Sequence, residues 1–230
     1  AEIFQSECCL NHDPVVQYWM HNGMINVDGE KMSKSLGNFW TIRDAISKIK
    51  PLELRYSLIN APYRQPVEFN DTILQDSSSH YHKLLSAYGE GLSKSGKSDW
   101  NDLDFLQTAE LNFSNGMDDD FNTRMAIVEI QSVVKYLREK LDSGSDKEIS
   151  SAVSWLSEFA GNVLGILPED EEILANIERI EGEKMRLQDQ VIDLLSQRKI
   201  ARQNKDWERA DLIRNQLNEI GVVVEDSPKG

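Results

Sequence analysis

Asn26-Val27-Asp28-Gly29-Glu30-Lys31-Met32-Ser33-Lys34-Ser35-Leu36-Gly37-Asn38 is the stretch from which the rest of the chain is best read. Asn22 to Val27 forms a short extended segment, and Asp28-Gly29 is a turn signal. Glu30 to Asn38 is polar and carries a glycine at either side, which reads as a loop. Its two lysines, Lys31 and Lys34, stand among small hydroxyl residues that leave room for a triphosphate. Lysine suits such a place as a mobile point charge on a long stem. When a nucleophile attacks an α-phosphate, charge builds on the departing pyrophosphate, and a positioned ammonium stabilises it. The plain alternative is a solvated loop with chance lysines.

Outward from this loop the pattern is helical. Thr41 with Asp44 forms a capping box that opens a helix over roughly 42–50. Pro51 ends it and starts the next, LELRYSLINA, and Pro62 and Pro66 bracket a loop. From Asn70, the residues Ile73, Leu74, Tyr81, Leu84, Leu85 and Tyr88 fit one face of a long helix, weakened at Ser77-Ser78-Ser79. GEGLSKSGKSD at 89–99 reads as a flexible connection. Helices follow over about 102–115, from a Thr123 cap, and from Asp146, and together they make a helical bundle. Pro168 to Glu172 is the best linker candidate. Helices over about 174–203 and 206–219, a stop at Gly221 and a short strand at Val222-Val223-Val224 complete the reading.

The chain has 230 residues and a formal net charge of −14, which would ordinarily count against a nucleic-acid partner. The charge is unevenly placed. Residues 31–64 carry a net of +5 and residues 198–214 a net of +3, while 65–178 carry −14. A polyanion responds to charge within a Debye length, so the two basic islands matter more than the total. The carboxylates of the middle region have no metal-binding spacing and read as a solvated surface. No apolar run is long enough to span a bilayer, and the opening AEIFQSECC lacks the pattern of a secretory leader. The adjacent Cys8 and Cys9 suit neither a disulfide nor a zinc knuckle; idle or buried thiols in a reducing, cytoplasmic compartment are expected.

Lys31 to Ser35 is identical to the KMSKS signature of class I aminoacyl-tRNA synthetases. The wider text resembles the cysteinyl-tRNA synthetase family along the whole chain. The resemblance is carried by Tyr18 to Met24, Val27 to Phe39, Leu54-Arg55-Tyr56, Tyr63-Arg64, Met117 to Thr123, Lys205-Asp206-Trp207 with Ala210-Asp211, and Gly221 to Gly230. It implies a mainly α chain in three parts. These are the end of a Rossmann-type catalytic domain with its KMSKS loop (1–64), a helical bundle (65–167) and a small α/β anticodon-binding domain (174–230). It also implies ATP-dependent activation of L-cysteine, with Mg2+, and transfer to tRNA(Cys). Lys34 then contacts the ATP phosphates, while Lys31 and Ser33 help to position the loop.

By the same resemblance Glu2 is a ligand of the Zn2+ that holds the substrate thiolate, in a site this chain leaves incomplete. Trp19 and His21 lie near the cysteine pocket. Arg202, Trp207, Asp211 and Asp226 read the anticodon by stacking and by base-edge hydrogen bonds. Trp207 sits among charged residues in KDWERAD, an odd place for a core tryptophan. Arg124 departs from the family, which commonly has proline there. The HIGH-type motif and the remaining zinc ligands are absent, so the chain reads as a C-terminal half, inactive by itself. Two other functions compete: the cysteine ligase of mycothiol synthesis and a non-catalytic tRNA-binding module. The tail at 198–230 argues against the first, and the intact lysine loop against the second.

Overall fold

The computed structural model describes residues 2–12, 14–100 and 102–224. The chain divides into two compact units, 1–170 and 171–230.

The first unit opens with α1 (Glu2–Leu10) and a small sheet of β1 (Ile25–Val27), β2 (Glu30–Lys31) and β3 (Val67–Glu68). β1 is central, antiparallel to β2 and parallel to β3. Asp28 and Gly29 both have positive φ, 53° and 81°. That is the mirror-image turn whose twist matches a two-residue hairpin. The Glu68 carboxylate accepts from Asn26 Nδ2 at 3.0 Å and from the Gly29 N–H at 3.2 Å, so the parallel neighbour fastens the turn. A parallel pair needs a long crossover. Here it contains α2 (Ile42–Ile46) and α3 (Pro51–Ile59). The Thr41–Asp44 capping box is formed in both directions and Pro51 stands in the first turn of α3, as the sequence signals require. Ala45, Leu54, Phe69 and Leu74 form the core under the sheet, with Ile25, Trp40 and Ile49 packed against it.

The bundle consists of α4 (Asp71–Ser95), α5 (Asp104–Asp118), α6 (Thr123–Ser143) and α7 (Asp146–Leu156). α7 runs on as a π-helical stretch, Ser157–Val163. Tyr81, Leu84, Leu106, Ile130, Leu137 and Trp155 are fully buried between the helices. Phe113 meets Trp155 edge-on at 6.1 Å, and Phe159 lies 4.5 Å from the same indole. Three sequence expectations change. The serine run does not weaken α4, because small Ser77 is itself buried in a packed helix face. Residues 89–95 are helix rather than connection: a Cβ on Gly91 would stand 2.7 Å from Val153 Cγ2, so this glycine permits close helix approach. The cap of α6 is Asn122, one residue before the expected Thr123, whereas α7 opens at Asp146 as expected, capped by Ser145.

In the second unit, α8 (Asp170–Gln203) and α9 (Trp207–Glu219) form a helical hairpin in which Ala201, Ala210, Ile213 and Leu217 are buried. The acids read as linker open α8, where carboxylates favour a helix N-terminus. Gly221 takes φ 82° as a helix stop. The Val222 N–H then donates to the Leu217 carbonyl at 2.9 Å. That bond commits the chain to ending the helix, and Val222 to Val224 form no strand. Among the described residues the second unit is therefore α-helical, which corrects the α/β expectation there. Among these residues no helix is long and apolar enough to cross a membrane.

Candidate functional site

The lysine loop hangs from the β1–β2 hairpin. Lys31 is the last residue of β2, and the Met32 N–H donates back to the Ile25 carbonyl at 2.9 Å. Ser33 then caps a single 3₁₀ turn, Lys34–Leu36, its Oγ accepting from the Leu36 N–H at 3.3 Å, and Gly37 closes that turn with φ 71°. The Ser33 hydroxyl also lies 3.2 Å from Ser35 Oγ. Ser33 thus serves the loop's own shape. Lys31 and Lys34 are both exposed. The Lys34 ammonium stands 5.3 Å from the Phe39 ring centroid, within cation–π range, and Lys48 stands 3.9 Å from that of Trp40. Asn38, which carried no assignment of its own from sequence, bonds to the loop backbone on both sides of Met32.

Motifs far apart in sequence meet within the first unit. Within Leu54-Arg55-Tyr56, Leu54 enters the core under the sheet and Arg55 Nε donates to the Leu164 carbonyl at 2.8 Å. The Tyr56 hydroxyl accepts from Gln131 Nε2 at 3.1 Å, and burial pushes its phenol pKa up. Arg64 grips Asp120 through Nε at 2.5 Å and a second nitrogen at 2.9 Å, while the Tyr63 hydroxyl donates to the same carboxylate at 2.7 Å. Asp120 and Phe121 both hold positive φ, 56° and 54°, a costly conformation for residues with side chains. The Arg64 and Tyr63 hydrogen bonds hold the Asp120 carboxyl at about 2. In the sequence the two motifs stand far apart, with no pattern that pairs them. The opposite charges of Arg64 and Asp118-Asp119-Asp120 were the only available signal.

Glu2 lies exposed in the first turn of α1. Trp19 and His21 stack with ring centroids 6.3 Å apart, and both are exposed. Cys8 and Cys9 are unbridged and exposed rather than buried. Among the described residues no three His, Cys, Asp or Glu side chains are grouped to hold a metal. The donors around Glu2 therefore do not make a zinc site by themselves.

At the hairpin of α8 and α9, Lys205 takes φ 60° and the Asp206 N–H donates to the Ala201 carbonyl at 2.9 Å, turning the chain sharply. Asp206 caps α9, accepting from the Arg209 N–H at 3.1 Å. Trp207, the first helical residue, is 58% exposed, as its charged neighbours foreshadowed. Asp211 on the next turn is exposed and pairs with Arg214 at 3.3 Å. Arg202 is half-buried near the end of α8, so the tight turn brings it into the same short stretch as Trp207. Asp226 lies outside the described residues.

Three family models match in order along the chain. The class I (C) tRNA synthetase catalytic domain matches residues 1–79, the DALR domain 112–168, and the cysteinyl-tRNA ligase anticodon binding domain 185–230. The curated cysteine–tRNA ligase of Chromobacterium violaceum is 39% identical over 230 residues, covering all of this chain and 47% of the relative. That of Desulforamulus reducens is 36% identical over 248 residues, covering all of this chain and 50% of the relative. The chain spans about half the length of the curated relatives it matches. Among solved structures, the LeuRS of Agrobacterium radiobacter K84, in a ternary complex with tRNA and LeuAMS, aligns with a TM-score of 0.58 at 22% identity. It covers 72% of this chain and 23% of its own, and the likeness is one of fold. The ordered family matches and the full-chain similarity to cysteine–tRNA ligases agree with the lysine loop and the helices that follow it in the sequence: the chain belongs to the cysteinyl-tRNA synthetase family and carries its C-terminal region.

Proposed function

We propose that this region works within a cysteine–tRNA ligase, which forms cysteinyl adenylate from L-cysteine and ATP and passes the cysteinyl group to tRNA(Cys). The observation that carries the reading is the loop at 31–38, with two exposed ammonium groups on a hairpin-mounted, internally bonded turn. In the activation step a cysteine carboxylate oxygen attacks the α-phosphorus, the bond from that phosphorus to the bridging oxygen breaks, and pyrophosphate leaves. Lys34 neutralises charge gathering on the leaving group, and Lys31 supports it from the same loop. Mg2+ accompanying ATP would share that neutralisation. Glu2 is the one residue here assigned toward Zn2+, whose affinity for sulfur suits a cysteine thiolate.

The functional division is 1–64 for the catalytic end, 65–167 for the bundle and 174–230 for anticodon reading. In the last part the exposed Trp207 indole offers a stacking face to an unpaired base, with Arg202, Asp211 and Asp226 completing the reader. The cytoplasm is the proposed site of action. The test is aminoacylation by the full-length protein with cysteine, ATP and either tRNA or a glucosaminyl-inositol acceptor. Charging of tRNA(Cys) supports the reading; transfer to the amino sugar, or binding of tRNA without any transfer, overturns it.

A further inference from the structure

We propose that Asn38 is a positioning residue for the lysine loop, a role that rests on the reading of Lys34 as the pyrophosphate-side charge. Its carboxamide faces the backbone of the loop itself. Oδ1 accepts from the Ser33 N–H at 2.9 Å, and Nδ2 donates to the Lys31 carbonyl at 3.3 Å. One planar group thus spans the two peptide groups that flank Met32, in the way a neighbouring strand would. Gly37, with φ 71° and its N–H on the Lys34 carbonyl at 3.3 Å, turns the chain so that Asn38 returns to this position.

Met32 supplies the other side of the hold. Its N–H is bonded to Ile25, and its side chain lines a cavity of about 60 Å³ with Trp40, Ala45, Leu54 and Phe69. Lys31 and Lys34 leave the ring on either side of the residues that Asn38 fixes. The hydrogen bonds of Asn38 are internal to residues 31–38, so they travel with the loop when it moves as a body. The backbone positions from which the two lysines project are therefore held together. Alanine leaves the Ser33 N–H and the Lys31 carbonyl without these partners. Aspartate keeps an acceptor for Ser33 and offers no donor to Lys31.

The consequence falls on the transition state more than on ground-state binding, because pyrophosphate charge develops only as the bond breaks. In the full-length protein, Asn38→Ala should lower kcat for cysteine-dependent ATP–pyrophosphate exchange about 10- to 100-fold, with KM for ATP changed less than about threefold. In this chain the Ser33 amide should exchange with solvent at least about tenfold faster in Asn38→Ala, with the melting temperature of the bundle unchanged. Asn38→Asp should keep that amide protected. Wild-type kcat in Asn38→Ala, or an unaltered Ser33 exchange rate, overturns the proposal. A wild-type protein that exchanges no pyrophosphate with cysteine defeats the ligase reading instead, and the Ser33 measurement still decides the role of Asn38.

Discussion

Replacing Gly23 with alanine tests how the lysine hairpin is attached to the rest of the unit. An added Cβ would lie 2.0 Å from the Gln65 carbonyl oxygen, 2.3 Å from its carbon and 2.8 Å from the Pro66 nitrogen. All three are backbone atoms, and the proline stiffens the segment. Ordinary contact begins near 3.4 Å, so the two strands must part by roughly 1.4 Å. Backbone bonds that cross that seam include Gly23 N–H to Tyr63 at 2.6 Å, Val67 N–H to Met24 at 2.9 Å and Phe69 N–H to Asn26 at 2.8 Å. At about 1 kcal/mol each their loss costs about 3 kcal/mol. The smaller unfolded-state entropy of alanine returns about 0.4–1 kcal/mol. A net loss of about 2 kcal/mol is expected, read as a lower denaturant midpoint and faster exchange of the Val67 amide. An ångström-scale displacement of β1 also moves Lys34, and a shift of that size costs about 100-fold in rate. The full-length Gly23→Ala protein should therefore lose pyrophosphate exchange to about that extent. A Gly23→Ala variant with unchanged midpoint, Val67 exchange and activity would refute the reasoning.

The same substitution should have opposite signs at two helical glycines. Gly91→Ala should destabilise the chain in thermal unfolding, because overpacking against Val153 and Leu137 costs about 1–3 kcal/mol against a helix-propensity gain of about 1 kcal/mol. Gly182→Ala, with nothing within 4 Å of the added Cβ, should stabilise α8 by about 1 kcal/mol. Glu148 caps α7 through Ser145 and pairs with Lys140, and these bonds hold its carboxyl at about 2 against an ordinary 4.5. Its stabilisation is fully present above pH 4.5 and is lost as pH falls through about 2. Glu148→Gln should flatten the urea-midpoint profile over that window. Trp207→Ala should raise the Michaelis constant for tRNA by the factor corresponding to about 1–3 kcal/mol of stacking, with adenylation unchanged. An unaltered constant speaks against stacking.

Much of the helical framework is legible in the sequence because its signals are local. Thr41 with Asp44, Pro51, and the apolar face from Ala126 to Leu141 each act within a few residues, and the structure contains the elements they announce. What escapes depends on partners distant in the chain. β3 is two residues long and exists because Met24 and Asn26 present backbone acceptors to it. Gly91 looks like a linker glycine until Val153 is placed beside it. The Arg64–Asp120 clamp joins residues with no periodic relation at all. Val222 to Val224 have every propensity for a strand, yet the N–H of Val222 is already committed to Leu217. Within the loop, the lysines can be read from the sequence as candidates for phosphate chemistry. The two backbone hydrogen bonds of Asn38 cannot, because an amide in a Gly-Asn pair has too many ordinary uses in turns.

The role given to Lys34 is tested most directly by Lys34→Ala in the full-length protein, measuring cysteine-dependent ATP–pyrophosphate exchange and tRNA affinity side by side. The expected result is a kcat for exchange lower by about 100- to 1,000-fold with tRNA affinity unchanged. Undiminished exchange, or equal loss of exchange and tRNA affinity, would contradict the assignment of this loop to the departing pyrophosphate.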